Sequence, residues 1–426
     1  MTNRTSCVLC RGKIPCKFGG AEQCPMLLKS QSMYKVMSAK LTENISADAP
    51  SVFVGHYGYP KVNIGFLTPP QKKEDTWLHD APRTWSRDNY SIPQVIDYRS
   101  SLINSKFSAP ISIKNYNEGE IGKLISIAQE VSQSRKPVDL EINLTKKPHF
   151  SMSFDSYMAP LGPQASAVKV QSGNAHIDTQ IEKRVNDVDL HANTALQELS
   201  QKGYDEHFLT RLLSMGNLGI GKNRTLVPTR WSITAVDDSL SKHELENIKD
   251  YEHISECTFY FGGYLGNYYA ILLFPGAWQY ELFEMYVPKN QHIDTMPNYS
   301  TDYESYHGRT AYAQNTVGGY YATRLPIVQH LKKLQRQAGC LAFRFITEEY
   351  NCPLGVWVVR EAVRKALENK EHRFETRDSM LGFVRFLSQR KFNVSIDMFL
   401  KKSILYTIIK NQTTLGMFTH KNGTQK

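Results

Sequence analysis

No stretch of about 18 uninterrupted apolar residues occurs in the chain, so an ordinary membrane-spanning helix is not expected. The first thirty residues hold no apolar run fit for a secretion signal, which makes the cytosol the expected compartment, with no membrane partner. There is no internal repeat, hence no solenoid or propeller. HExxH, GxSxG and tight Asp/Glu clusters are all missing, which removes the commonest signatures of zinc peptidases, serine hydrolases and carboxylate-held metals. Acidic residues are scarce at the ends: Glu22 alone in residues 1–40, and none in residues 401–426.

What is present starts with size. At 426 residues, the chain is too long for one ordinary core, and two domains are expected. Its 41% hydrophobic and 22% charged residues suit a globular protein rather than a collagenous or disordered one. The net charge is +10, but residues 1–40 carry +6 and residues 401–426 carry +5, leaving −1 for the rest. The basic ends are compatible with contact to phosphates, or with simple solvation.

Four of the seven cysteines, Cys7, Cys10, Cys16 and Cys24, fall within 18 residues. In a cytosolic chain such a cluster points to a metal site rather than to disulfides. The Cys7–Cys10 pair lets two thiolates of one turn grip a tetrahedral ion, and Gly12, Gly19 and Gly20 supply the turns that return the chain. Zinc is the expected occupant, with an iron–sulfur cluster or free thiols as alternatives. The ion would either staple the N-terminus or present the segment to DNA. Cys257, Cys340 and Cys352 are scattered and read as core residues.

Along the chain, a helix is expected over Met26–Lys40, and Val54–Gly65 reads as a glycine-punctuated loop between short strands. Helical periodicity marks Glu118–Ser134 and Leu190–Met215, and alternation marks a strand at Val138–Leu144. Residues 160–180 read as an exposed loop. Arg230–Val236 reads as β-like, and Cys257–Val287 as two or three paired strands. Helices are expected at Tyr320–Gly339, Val356–Leu367 and Ile396–Lys410, with a strand at Leu341–Ile346. The expected fold class is α+β, with two mixed α/β domains. The expected divisions are a zinc module with its helix in 1–40, an N-terminal domain in 41–222, a C-terminal domain in 223–410 and a flexible tail in 411–426.

Gly216–Lys222 has the spacing of a phosphate-binding loop up to its lysine. Asn223 replaces the hydroxyl that would hold magnesium, the preceding segment is helical, and Pro228 follows too soon for the required helix, so nucleotide binding there is not expected. Candidate catalytic or phosphate-holding residues lie in or beside Gly-, Tyr- and Trp-rich stretches: His56, Arg230, Asp237, Glu281, Glu284, Arg309, Glu349 and Arg360. Glycines allow close approach, aromatics stack on bases and arginines hold phosphates. Solvated charges and structural ion pairs are the plainer account of each.

The C-terminus is more specific. Gln412, Leu415 and Phe418 recur at i, i+3 and i+6, so a single turn with three residues per turn puts them on one face. This is the spacing of peptides that dock on the sliding clamp, PCNA, although Thr419 stands where a second aromatic is usual. An internal copy, Gln314–Tyr321, has both aromatics but is expected to be buried in the fold.

Taken together, Cys7–Cys24, Val54–Pro60 with Val62–Gly65, Leu226–Asp237, Gly262–Asn267, Gly318–Ala322 and Gly355–Glu361 resemble the archaeal DNA repair proteins of the Nre family. The resemblance spans nearly the whole chain. His56 departs from it, standing where arginine is expected. It implies a role in DNA damage repair, a four-cysteine zinc finger and a clamp-interacting terminal peptide, with DNA as the second expected partner. No established reaction comes with it. A clamp-tethered repair factor is therefore the first reading, and a non-catalytic DNA-binding scaffold at the clamp is the alternative.

Overall fold

A computed structural model of the chain describes residues 24–38, 43–112, 119–149 and 160–411. Cys7, Cys10, Cys16 and the peptide Gln412–Thr419 lie outside the described residues. The fold is mixed α and β, built around two six-stranded sheets. One compact unit holds the described residues up to Glu244, with the later returns Tyr321–Leu325 and Tyr350–Glu361. The other holds Leu245–Tyr320, Pro326–Glu349 and the chain from Ala362 onward. The division follows Glu244 rather than residue 222, because Val236 and Leu240 join the core formed by Leu196, Leu209 and Leu212.

In chain order the first unit contains α1 (Pro25–Ser38), β1 (Asn44–Ala49), β2 (Ser51–Val54), β3 (Lys61–Thr68), α2 (Pro82–Arg87), α3 (Ile92–Ser100) and β4 (Ile103–Pro110). It continues with α4 (Glu120–Gln133), β5 (Val138–Leu144), β6 (Gln164–Ser172), α5 (Thr179–Asn186), α6 (Ala192–Gln201), α7 (Glu206–Ser214) and, as far as Glu244, α8 (Thr229–Ile248). Its sheet runs β1-β5-β6-β4-β3-β2, antiparallel except between β4 and β6. Strand β5 shows the expected period of two, burying Val138, Leu140, Ile142 and Leu144 against α4 residues Leu124, Ala128 and Val131.

Two expectations are corrected here. Arg230–Val236 is helix, not strand. Pro228 opens it by accepting from the amides of Trp231 and Ser232, and burial of Ser232, Val236 and Leu240 at i, i+4 and i+8 overrides the β propensity of Trp, Ile and Val. Residues 160–180 contain β6, whose polar residues face outward beside β5, so composition hid a strand. Leu190–Met215 is helical but divided, because Gly203 at φ +88° breaks the chain between α6 and α7.

The second unit contains β7 (Cys257–Tyr264), β8 (Asn267–Phe274), β9 (Gln279–Val287), β10 (Tyr299–Glu304), α9 (Gly318–Leu334) apart from Tyr321–Leu325, β11 (Gly339–Thr347), α10 (Trp357–Glu368) from Ala362 onward, β12 (His372–Phe374), α11 (Arg377–Phe392), α12 (Asp397–Leu400) and α13 (Ile404–Asn411). Its sheet runs β10-β9-β11-β8-β7-β12, with β9 and β11 parallel. A ring-rich core of Phe283, Phe343 and Phe399 binds the sheet to the last helices. The two or three strands expected over Cys257–Val287 are three, β7, β8 and β9. Among the described residues no helix is long and apolar enough to cross a membrane.

Lys29 of α1 is only 1% exposed, and burial pushes its ammonium down from 10.5 to about 8, with Cys352 acting in the opposite direction. The folded chain therefore gives up this proton before the unfolded chain does. From this group, stability should rise as pH climbs from about 8 toward 10.5. The gain should be on the order of 2 kcal/mol between pH 7.5 and 9.5, and should disappear in Lys29→Met. Urea midpoints at the two pH values check this; equal pH slopes for both proteins would refute it.

Candidate functional site

The first unit gathers charged side chains that the sequence holds far apart. A 3₁₀ turn, Thr76–Asp80, leads into α2, and the fully buried Trp85 donates its indole N–H to the carbonyl of Leu78 at 2.7 Å, fixing the turn. Asp80 is thereby turned inward, where its Oδ1 accepts from Arg99 at 2.6 Å and its Oδ2 stands 2.9 Å from His207 Nε2. Burial alone would push this carboxyl up. The charges of His207 and Arg99, with a hydrogen bond from His207, instead hold it far below the usual carboxylate range.

His207 is placed by α7, whose N-cap Asp205 accepts from the Phe208 amide at 2.8 Å. The same first turn carries Glu206, which suits the positive end of the helix dipole. Glu206 accepts from Arg83 at 2.8 Å and lies 3.5 Å from Arg360, which donates to Asp237 at 2.7 Å. Two cavities border this array, an inner one of ≈ 60 Å³ and an outer one of ≈ 360 Å³, and they share Asp80, Pro82, His207 and Arg211.

The β2–β3 connection adds an aromatic surface. Gly58, at φ +85°, closes it; a Cβ there would stand 2.8 Å from the carbonyl oxygen of Lys61. Tyr57, Tyr59 and Trp231 are 77%, 51% and 46% exposed, and the Tyr59 and Trp231 rings meet edge-on at 5.0 Å. His56 packs on Tyr57 at 4.0 Å. Thr229 accepts from the Val54 amide at 3.0 Å, tying the start of α8 to the end of β2 and bringing Arg230 to the side of this loop.

In the second unit the polar groups are engaged locally. Tyr260 donates to Glu371 at 3.1 Å and lies 3.0 Å from His330 Nε2, beside a cavity of ≈ 270 Å³. Burial pushes the His330 imidazole below its ordinary value and the Tyr260 phenol above its own.

Comparison with known proteins gives this architecture its family. The model for "Archaeal Nre, N-terminal" matches residues 18–292, and that for "Archaeal Nre, C-terminal" matches residues 304–418. The DNA repair protein NreB of Archaeoglobus fulgidus is 34% identical over 97% of this chain and 99% of its own length. The DNA repair protein NreA of Haloferax volcanii is 35% identical over 77% of this chain and 79% of its own. The NreA of Archaeoglobus fulgidus is 34% identical over 88% and 92%. The chain belongs to the archaeal Nre family. No solved structure matches it.

The eight residues singled out in this Nre chain fall four to each unit. His56, Arg230, Asp237 and Arg360 stand in the first, where Asp237 and Arg360 form one buried pair and the segments carrying His56 and Arg230 adjoin. In the second, Glu281 accepts from Ser403 Oγ and from the amides of Ile404 and Leu405 at 3.1 and 3.0 Å, capping α13. Glu284 accepts from Arg344 at 2.5 Å and fills the space beside Gly319, where a Cβ would stand 2.3 Å from its Oε1. Arg309 lies 3.3 Å from Asp302 and donates to the Tyr303 carbonyl at 2.8 Å. Glu349 accepts from Tyr268 at 2.9 Å, and burial with this bond pushes the Tyr268 phenol up to about 12.

Sequence reasoning missed Asp80, Arg99, Glu206, His207 and Arg211. Asp205-Glu206-His207 does read as a capped helix start, but nothing local says what its side chains will meet. Of the four expected metal ligands, Cys24 is the one described; it is buried just before α1, with its carbonyl accepting from the Leu28 amide at 2.9 Å. Among the described residues no group of three or more His, Cys, Asp or Glu is placed to hold a metal.

Proposed function

We propose that this Nre protein is a DNA repair factor that the sliding clamp recruits through Gln412, Leu415, Phe418 and Thr419, and that it contacts DNA with the aromatic loop of its first unit. The observation that carries the repair role is the likeness, over nearly the full length of both chains, to a protein named for DNA repair. The clamp reading is supported by position. Helix α13 ends at Asn411, immediately before the peptide, while the internal copy is enclosed: Tyr320 is 0% and Tyr321 5% exposed. Tyr57, Tyr59 and Trp231 supply exposed faces on which unpaired bases stack, with Lys61 and Arg230 beside them for phosphates.

Cys7, Cys10, Cys16 and Cys24 would hold one zinc ion as a tetrathiolate. The donor set suits zinc, and the ion would supply folding energy to a segment too short for its own core. Metal analysis should return one zinc per chain; stoichiometric iron would contradict the assignment. No reaction is assigned to Glu281, Glu284, Arg309 or Glu349, since each is engaged within its own unit.

The DNA reading is tested by fluorescence anisotropy with a single-stranded oligonucleotide. Affinity should fall steeply with salt, and Tyr59→Ala with Trp231→Ala should weaken it by about 1–3 kcal/mol per stacked base lost. Binding that is flat across salt concentration and indifferent to both substitutions would rule it out.

A further inference from the structure

The outer cavity of the first unit has the size and lining of a site for a small anion-bearing ring compound. Its ≈ 360 Å³ falls within the range of ligand pockets, roughly 300–1,000 Å³. Its walls carry Arg83, Arg135, Arg211 and His207 against only two carboxylates, Asp80 and Asp205. Both carboxylates are already engaged, Asp80 with Arg99 and His207, and Asp205 with the Phe208 amide at the helix cap. Of the positive groups, Arg83 is set against Glu206 and His207 against Asp80, so Arg135 and Arg211 are the cations that a ligand phosphate would meet.

Arg211 adds a second observation. Its Nη1 and Nη2 donate to the carbonyls of Pro50 at 2.6 Å and Ser134 at 3.4 Å, which fixes the guanidinium over the Phe208 ring. Its Nε is buried without an acceptor, so the guanidinium keeps its charge beside the cavity with one donor unspent. Arg135, whose guanidinium lies 5.3 Å from the Tyr204 ring centroid, is exposed at the same cavity. Trp77, 47% exposed, offers a large flat face at the same cavity.

From this we infer that the outer cavity binds a nucleoside monophosphate unit, its phosphate held by Arg211 and Arg135 and its base laid on Trp77. The unit is either a free mononucleotide or the 5′-phosphorylated terminal nucleotide of a DNA strand. The second source rests on the DNA repair reading; the first does not.

The test titrates the full chain with thymidine 5′-monophosphate, thymidine and inorganic phosphate, following tryptophan fluorescence and heat. A parallel arm compares single-stranded oligonucleotides ending in a 5′-phosphate or a 5′-hydroxyl with circular single-stranded DNA. Thymidine 5′-monophosphate should bind, and more tightly than either fragment. Trp77→Ala should weaken it about 5- to 150-fold and Arg135→Ala about tenfold or more, with melting temperatures unchanged because both side chains are largely outside the core. Preference for the phosphorylated end would identify the strand as the source, and equal binding of both ends would identify the free nucleotide. The inference is overturned if the nucleotide does not bind, if inorganic phosphate binds as well as the nucleotide, or if the Trp77→Ala/Arg135→Ala double variant binds it unchanged. Salt-dependent binding of the circular strand in any of those cases would leave the DNA reading standing while this one falls.

Discussion

Arg360→Met is expected to lower stability by about 3–5 kcal/mol, a large part of the roughly 5–15 kcal/mol that holds a typical protein folded. Asp237 and Glu206 are 0% and 3% exposed, and Arg360 itself is 3%. Removing the guanidinium takes a charged partner from two buried carboxylates, in a medium where lost compensation of a charge costs more than the pair contributed. Arg83 still neutralises Glu206, and Asp237 loses the hydrogen-bonded cation 2.7 Å away. The double variant Arg360→Met/Asp237→Leu should therefore recover part of the loss, a coupling that identifies the pair rather than lost packing as the cause. Urea denaturation of the three proteins measures it. A single variant within about 0.5 kcal/mol of the parent would show that the pair carries no such burden.

The two copies of the clamp spacing should separate cleanly on substitution. Tyr320 is fully buried, its ring 4.9 Å from that of Tyr280, whose phenol donates to the Tyr320 carbonyl at 3.3 Å. Tyr320→Ala opens a cavity in the second unit and should cost about 3–5 kcal/mol. It should leave clamp affinity per folded molecule unchanged. Leu415→Ala with Phe418→Ala should do the reverse. Each of these side chains contributes roughly 1.5–3 kcal/mol on burial in a partner's pocket, so losing both weakens binding by two orders of magnitude or more. Circular dichroism melting read beside a binding isotherm separates the outcomes. Clamp binding lost in a well-folded Tyr320→Ala protein would make the internal copy the docking peptide.

Where periodicity was clean, the fold was legible. Val138–Leu144 alternates because one face of the sheet is buried under α4, and Cys257–Val287 is so rich in aromatic and β-branched residues that only paired strands fit. Arg230–Val236 misled because Trp, Ile and Val favour strands, while the burial that decides the matter comes from residues elsewhere in the chain. The candidate site was legible by residue type but not by partnership. Asp237 and Arg360 could each be picked out, yet they are 123 positions apart and nothing local pairs them. Asp80 and His207 went unnoticed for the same reason: a lone Asp in a loop and a lone His in a helix acquire meaning only when the fold sets them 2.9 Å apart. Glu281 shows the converse, since a buried carboxylate in a strand looks functional until the amides it caps are seen.

The central claim is that this Nre chain is tethered to the sliding clamp by its last residues, and one measurement addresses it most directly. Purified clamp is titrated calorimetrically with the full chain, with the chain ending at Asn411, and with the Leu415→Ala/Phe418→Ala variant, all three folded by circular dichroism. The full chain should bind, more weakly as salt rises because Lys410 and Lys421 flank the peptide, while the shortened and substituted chains give no heat. Equal affinity for all three, or no binding by the full chain, would contradict the account.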